Sequence, residues 1–483
     1  MGSTSSGFTF SDLFAGVGGF HAALHAAGGQ WVFASEIDRD AAGVYDYNWL
    51  RPLRKMGAAP PAGVSKFRVS GDIVPLTEPK VQVPHADVLA AGFPCQPFSK
   101  SGKQLGMEET RGTLFWNIAQ ILQDEERRPS VVLLENVRNL AGPRHTETLA
   151  TIVRTLRQLG YRTASKPAVL SPHLLPPELG GRPQARERVF ILAHHVGRET
   201  AEDAANYDDP IVTTRTSFGD WNKKKWSLEE HLPLEKAADS RYELESTERK
   251  WIDTWNSLLT DVAMRLDPGE RLPGFPIWAD AFRTVQAAAD IIEAAELRGE
   301  PLPAWKADFL IKNARFYERH AEVIDRYQMT IDSFPASRRK FEWQAGPHVA
   351  LEESILHFRP SGIRAKRPDY VPALVAITQT SVLGTRRRLT PRETARLQGL
   401  PDWFEFRQSD EEHTNGWVQQ KDAASYKQMG NGVNVGVVFF LFCRYVLEHS
   451  EEIPQHIVDA VRTASEDGRR GPDSVLTQLS RDR

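Results

Sequence analysis

The chain has only two cysteines in 483 residues. That is too few for a disulfide framework or a zinc cluster, and it fits a reducing cytosol, the expected location. No run of about eighteen consecutive apolar residues occurs, so no membrane span is expected. No excess of one charge occurs either: 60 Lys and Arg stand against 63 Asp and Glu, for a net charge of −3. Such a balance neither predicts nor excludes a nucleic-acid partner, and any basic surface must be local. The start, Met1-Gly2-Ser3-Thr4, matches a myristoylation pattern but lacks a polybasic second anchor, and reads as a flexible leader. Hydrophobic content of 41% and charged content of 25% are ordinary for a globular protein. The length suggests about two to three domains.

What the chain does have begins at its N-terminus. Phe8 to Phe14 alternates like a short strand, and Ala15-Gly16-Val17-Gly18-Gly19 follows. Phe20 to Ala27 then reads as a helix stopped by Gly28-Gly29. Strand, glycine turn and helix open a nucleotide-binding unit, in which glycine lets a ligand approach the backbone. A second strand, Trp31 to Ser35, runs into Glu36, twenty residues beyond Gly16. That spacing suits an acceptor for a ribose diol. A tight turn with no ligand would use the same glycines. The third glycine of the dinucleotide fingerprint is missing, because His21 stands in its place. A nicotinamide cofactor is thereby disfavoured, and a nucleoside ligand without a pyrophosphate stays open.

Gly71-Asp72-Ile73 is expected to close a further strand. Asp87 to Ala91 forms another, which feeds Gly92-Phe93-Pro94-Cys95-Gln96-Pro97-Phe98-Ser99. Two prolines stiffen the chain around Cys95 and present the thiol from a loop at a strand's C-terminal end. A free thiol is a strong nucleophile only as thiolate, so a catalytic role needs a cationic neighbour. The other cysteine, Cys443, lies in an apolar run and reads as core. Gly112 to Gln123 is an amphipathic helix. Ser130 to Leu134 is a buried parallel strand that stops at Glu135-Asn136-Val137, aiming the carboxylate at the same edge as Cys95. Arg186 and Arg188 precede the strand Val189 to Ala193 and alternate, so both point to one face. His194 and His195 continue that strand and read as structural.

Six stretches, in order, resemble the motifs of the DNA (cytosine-5)-methyltransferase family. They are Asp12 to Phe20, Gly92 to Ser99, Glu135 to Val137, Gln184 to Arg188, Arg388 to Pro401, and Gln428-Met429-Gly430-Asn431-Gly432-Val433. The likeness spans roughly residues 8–195 and 385–447. It implies an α/β fold, with a Rossmann-like S-adenosylmethionine-dependent methyltransferase sheet flanked by helices on both faces, plus a second, target-recognition domain. The implied division is 8–195 and 385–447 for the catalytic domain, 196–384 for recognition with a helical insertion, and 448–483 for a charged, frayed tail. Double-stranded DNA is the implied substrate, lying in the cleft between the two domains.

The resemblance also assigns residues. Cys95 is the implied nucleophile toward C6 of a flipped cytosine. Glu135 holds N3 and the exocyclic amine, and Arg188 contacts O2 with Arg186 beside it. For S-adenosyl-L-methionine, Phe14, Gly16 and Gly18 belong to the first motif, Glu36 takes the ribose hydroxyls, and Ile37 lies on the adenine. Asp72 and Ile73 form the adenine-contacting motif, Leu114 follows the catalytic loop, and Asn431 and Val433 come from the last motif. No metal is implied. Ser99 to Arg111 resembles the mobile catalytic loop, and Val435 to Leu447 is expected to complete the N-terminal sheet's layer.

Within 196–384 the resemblance ends. Trp251, Trp255, Leu258, Leu259, Val262 and Leu266 follow helical spacing, and Ala279 to Arg298 and Ala304 to Tyr327 read as helices. Two basic runs with aromatics, Trp221 to Trp226 and Ser337 to Trp343, are candidate phosphate contacts. Arg359 to Arg367 and Arg386 to Arg388 add positive charge. A tRNA cytosine-5 methyltransferase shares the motifs and is the alternative; the length of 196–384 argues for DNA. A prokaryotic restriction-modification or phage-defence setting is expected, with a monomeric enzyme and a cognate endonuclease or defence-system proteins as further partners.

Overall fold

The computed structural model describes residues 7–61, 63–94, 113–202, 210–235, 240–346, 350–376, 381–384, 387–409 and 416–479. Two compact units divide the chain. One comprises Met1–Leu234, Pro372–Thr378 and Pro391–Arg483; the other comprises Glu235–Val371 and Gln379–Thr390. The first boundary falls at Glu235 rather than at 196, because the intervening segment packs into the first unit. The Trp226 indole donates to the His173 carbonyl at 2.8 Å, and Phe218 meets Phe440 edge-on at 5.4 Å.

The first unit is built on β1 (Thr9–Leu13), β2 (Gln30–Ser35), β3 (Val88–Ala91), β4 (Val131–Val137), β5 (Tyr161–Thr163), β6 (Ala168–Leu170) and β7 (Arg188–His195). Among the described residues these form one mixed sheet in the order β2-β1-β3-β4-β7-β5, with β6 also on β7. The first four strands run parallel, and β7 is antiparallel to β4, β5 and β6. Their apolar runs are buried on both faces, as parallel strands flanked by helices must be. Leu13, Leu89, Ala91, Val132, Leu134 and Ile191 share a core with α2 (Leu114–Gln123) and α3 (Thr146–Gln158). In the other layer, α1 (Gly19–Ala26) packs on a C-terminal helix, Val435–Glu448, and Phe8 meets Phe442 of that helix at 5.4 Å.

Three local expectations are corrected. Gly71 to Ile73 closes no strand; only Ser70 bridges to Ser35, and the Asp72 carboxylate accepts the Val74 N–H at 3.0 Å to start the short helix Val74–Thr77. β4 does not stop at Glu135 but runs on to Val137, because antiparallel β7 pairs with it as far as Val137 opposite Arg188. Within 448–479 the terminal segment is helical rather than frayed. Its charges conceal a helical stripe, Ile457, Val458 and Val461, which is fully buried in Gln455–Ser465, and Leu476 of Asp473–Gln478 is buried too. Asp422–Glu448 is apolar enough to cross a membrane by composition, but 78% of its most apolar window is buried, as befits a core helix.

The second unit contains α4 (Ser246–Ala263), β8 (Ile277–Trp278), α5 (Val285–Leu297), α6 (Ala304–Asp332), β9 (Lys340–Gln344), β10 (Ile355–Arg359), β11 (Gly362–Lys366), β12 (Val382–Leu383) and β13 (Arg387–Arg388). Its sheet runs β13-β12-β10-β11-β9-β8. The expected helices are present, with the second beginning at Val285 rather than Ala279. One sheet face supplies Phe341, Leu356, Phe358, Ile363 and Ala365 to a core shared with Trp255, Leu258 and Val262 of α4 and Val323 and Ile324 of α6.

Candidate active site

The C-terminal edges of the parallel strands open onto one cavity of about 440 Å³ in the first unit. At one end the chain leaves β1 through Phe14, whose φ of 55° is a left-handed value that strains any side chain. Gly18 then starts α1 at φ 94°, where a Cβ would stand 2.3 Å from the Trp49 indole nitrogen. Gly19 is equally confined: a Cβ there would lie 2.8 Å from Val433. The glycine turn and the last motif, over 400 residues apart in the chain, are therefore in contact.

Glu36 leaves the end of β2 and is half-buried. Its Oε2 accepts the Gly16 N–H at 2.8 Å and its Oε1 the Asp38 N–H at 2.7 Å. Burial raises its pKa, the two N–H groups pull it back, and the Asp38 carboxylate raises it again. Each carboxylate oxygen has a further lone pair for an outside donor. Beside it Ile37 is 72% exposed at the cavity rim. Asp72 and Ile73 line the same end, with Ile73 buried, and Leu114 and Asn431 complete it. A glycine turn, a carboxylate with spare lone pairs and an exposed flat-facing aliphatic side chain fit the adenosine portion of a nucleoside cofactor.

At the other end Glu135 and Arg188 form an ion pair, Nε to Oε1 at 3.1 Å, with both side chains mostly buried. They lie diagonally on one face of the β4–β7 ladder, since Arg188 pairs opposite Val137. Burial raises the pKa of Glu135, and Arg188 and then Arg186 oppose the rise. Burial lowers that of Arg188, and Glu135 opposes the fall. The Glu135 carboxylate reaches the backbone of Gly92, where an added Cβ would stand 3.4 Å from Oε2. Gly92, Phe93 and Pro94 line the cavity on the way to Cys95. Cys95 itself and the expected loop Ser99 to Arg111 lie outside the described residues.

Two expected site residues are placed elsewhere. Gly18 does not line the cavity; it is the close-approach point for Trp49. Arg186 does not line it either, and is 2% exposed. The two arginines do not share a face, because the chain between β-bridged Gln184–Ala185 and β7 turns Arg186 inward. Its guanidinium donates to the carbonyls of Leu374 at 2.8 Å and of Gly430 and Gly432 at 2.7 Å each. It thus clamps the backbone on either side of Asn431. Three more residues shape the cavity without having been singled out. Asn136 donates to the Phe93 carbonyl at 2.9 Å, fixing the chain just before Pro94-Cys95. Gln398 donates to the Met429 carbonyl at 2.5 Å, and Lys427 bonds the Asp38 carboxylate at 2.8 Å. Asn136 and Gln398 sit inside recognisable motifs, which was the available signal; the Lys427–Asp38 contact left none.

Fold and cavity together define an α/β enzyme whose nucleoside pocket adjoins a buried acid–guanidinium pair. The sequence profile of the C-5 cytosine-specific DNA methylases matches residues 8–446. The type II methyltransferase M.AluI of Cellulosimicrobium cellulans is 44% identical, covering 92% of this chain and 93% of that protein. M.HpaII of Haemophilus parainfluenzae is 38% identical over 45% of this chain and 54% of its own length. Among solved structures, the S. pombe Dnmt2 methyltransferase covers 91% of this chain and 98% of its own at 16% identity, with a TM-score of 0.44. The chain belongs to the C-5 cytosine-specific DNA methylase family. It transfers a methyl group from S-adenosyl-L-methionine to C5 of cytosine in DNA, and the matches favour DNA over the tRNA alternative.

Proposed function

We propose that Cys95, Glu135 and Arg188 carry the methyl transfer, within a sequence-specific restriction-modification enzyme. The single observation that supports this most is the Glu135–Arg188 pair beside Gly92 to Pro94, the segment that delivers Cys95. A cytosine inside a duplex is out of reach, so the target base is flipped into the cavity, which takes a few kcal/mol. The Cys95 thiolate adds to C6 and pushes electron density toward C5 and N3. N3 takes that density, and Glu135, whose pKa burial raises, shares a proton with it to offset the charge, while Arg188 holds Glu135 and meets O2. S-adenosyl-L-methionine, when bound, supplies an electrophilic methyl on a sulfonium. C5 takes the methyl and leaves S-adenosyl-L-homocysteine; a water or hydroxide then removes the C5 proton, and that electron pair re-forms the C5–C6 double bond as the C6–S bond breaks to return the thiolate.

Glu36 holds the ribose hydroxyls, and Ile37, Asp72 and Ile73 surround the adenine. Phe14, Gly16, Leu114, Asn431 and Val433 shape the remainder of the pocket. The second unit, with residues flanking it, carries target recognition. The enzyme works as a monomer beside a cognate endonuclease that cuts the unmethylated site, in the cytoplasm of a prokaryotic cell. The chemistry is tested with a duplex bearing 5-fluorocytosine at the target. Fluorine cannot leave as a proton does, so the chain should stay attached after methyl transfer. Attachment that survives denaturation in the wild type and vanishes in Cys95→Ser supports the mechanism; attachment in both variants contradicts it.

A further inference from the structure

The second unit's sheet has one face in its core; on the other, Ile355 is buried at 1% exposure, and the rows beside it carry an ordered, partly exposed set of charges. β10, β11 and β9 lie side by side there. Arg364 of β11 is directly opposite His357 of β10 and directly opposite Glu342 of β9, so the three form one row across the strands. Phe341, Phe358, Ile363 and Ala365, the intervening residues, point into the core. From Leu356 onward this alternation leaves the charged rows of that face partly exposed, while Ile355 at its end is covered.

The row is held by its acid. One oxygen of Glu342 accepts from Arg364 Nε at 2.8 Å, forms an ion pair with its Nη2 at 2.8 Å, and lies 3.6 Å from Arg359 Nη1. Glu342 is mostly buried, with its side chain 20% exposed, whereas Arg364 and Arg359 remain about a third exposed at 30% and 31%. The acid thus sits beneath two arginines. With Lys366 two residues along β11, the cluster carries three cations against one anion. Burial first, and then Arg359, Arg364 and Lys366, lower the pKa of His357.

The neighbouring basic residues are differently engaged. Arg338 lies over the rings of Trp251 and Phe358 and donates to the Arg359 carbonyl, Arg339 pairs with Asp280 at 2.5 Å, and Arg388 pairs with Glu248 at 2.5 Å. Their cations are engaged in the unit's own packing.

Glu342 occupies the Nε–Nη2 side of Arg364 and leaves its Nη1–Nη2 end pointing away from the carboxylate. That end offers two parallel N–H donors, the arrangement that matches O6 and N7 of guanine in the major groove. A phosphate contact needs only a mobile charge, whereas reading a base edge requires a guanidinium fixed in angle. We infer that the partly exposed charged rows of this face meet duplex DNA, with Arg364 reading a guanine edge and Glu342 acting as its positioning residue. The inference rests on the DNA methyltransferase reading above.

The test compares wild type, Arg364→Ala, Arg364→Lys and Glu342→Gln. The wild type first maps the methylated sequence on plasmid DNA; a wild type that methylates nothing overturns the activity reading and this inference with it. Each variant, checked for a native melting transition, is then measured on duplexes carrying the mapped site or single-base changes at each G·C pair. Arg364→Ala should reduce discrimination at one guanine at least about fivefold, with the salt slope of binding unchanged. Arg364→Lys should not restore it, since charge is kept and the fork is lost. Glu342→Gln should blur the same position by a smaller factor. If Arg364→Ala instead weakens all duplexes equally and lowers the salt slope by about one, Arg364 contacts phosphate and the base-reading role is wrong. No change in either readout removes the face from the DNA interface.

Discussion

The two units solve different problems, and their sequences show it differently. In the first, reacting groups must stand at fixed distances around a nucleoside, so the backbone itself is constrained. Phe14 sits at a left-handed φ, Gly18 and Gly19 leave no room for a Cβ, and Asn136 ties down Phe93. Such constraints fall on neighbouring residues and leave short, ordered words in the sequence. In the second, the polar face that we propose meets DNA has its parts drawn together by strand pairing. Glu342 and Arg364 meet at 2.8 Å although 22 residues separate them. Pairing of that range leaves no local word, and the same composition would suit any solvated sheet.

This difference predicts that first-unit changes stop chemistry at every site, whereas second-unit changes alter which site is chosen. The sharpest break is Cys95→Ser, which should abolish methyl incorporation while DNA and S-adenosyl-L-methionine still bind in titration. Glu135→Gln removes the proton-sharing carboxyl and Arg188's partner. It should lower the single-turnover rate by about 10²–10³ fold, a loss of the size seen when one preorganised charge-stabilising group is removed. Glu36→Ala should act on the cofactor alone, weakening its binding by calorimetry about 10-fold or more, as expected when a charge-assisted hydrogen bond is lost. A smaller effect is expected for Arg186→Lys, which keeps the charge but cannot serve three carbonyls. Cofactor KM should rise several-fold with kcat nearly kept, whereas a purely structural defect would lower the melting temperature without moving KM.

The smallest effect concerns stability and leaves chemistry alone. His194 is buried between Tyr445 at Nδ1 and Glu452 at Nε2, each 2.8 Å away, with His449 and Arg162 nearby. Burial first, and then His449 and Arg162, push its pKa down to about 4, against the pull of Glu452. The unfolded chain therefore binds a proton that the folded one refuses between about pH 6.5 and 4. Stability should be full above that window and fall by on the order of 2–3 kcal/mol as pH drops through it. Melting curves across that range should flatten in His194→Gln.

Legibility followed the same divide. The glycine turn, Glu36, Glu135 and Arg188, which line or frame the cavity, each lie in or beside the end of a strand within a recognisable local pattern. Arg186 was misread from strand alternation: it lies ahead of β7, where the chain turns it inward to the carbonyls around Asn431. The helices of the second unit were readable from spacing, but its sheet was not, since β8, β12 and β13 are two residues each and take shape only by pairing. The terminal helices were hidden because charge dominates their composition, although three aliphatic residues suffice to bury one face.

The central claim is that the first unit's cavity methylates cytosine C5 through Cys95. The most direct measurement maps 5-methylcytosine at base resolution in plasmid DNA from cells expressing the wild type or Cys95→Ser. The account predicts one short sequence filled with 5-methylcytosine in the wild type and empty in the variant. Equal methylation in both, or a methyl group on another atom of the base, would contradict it.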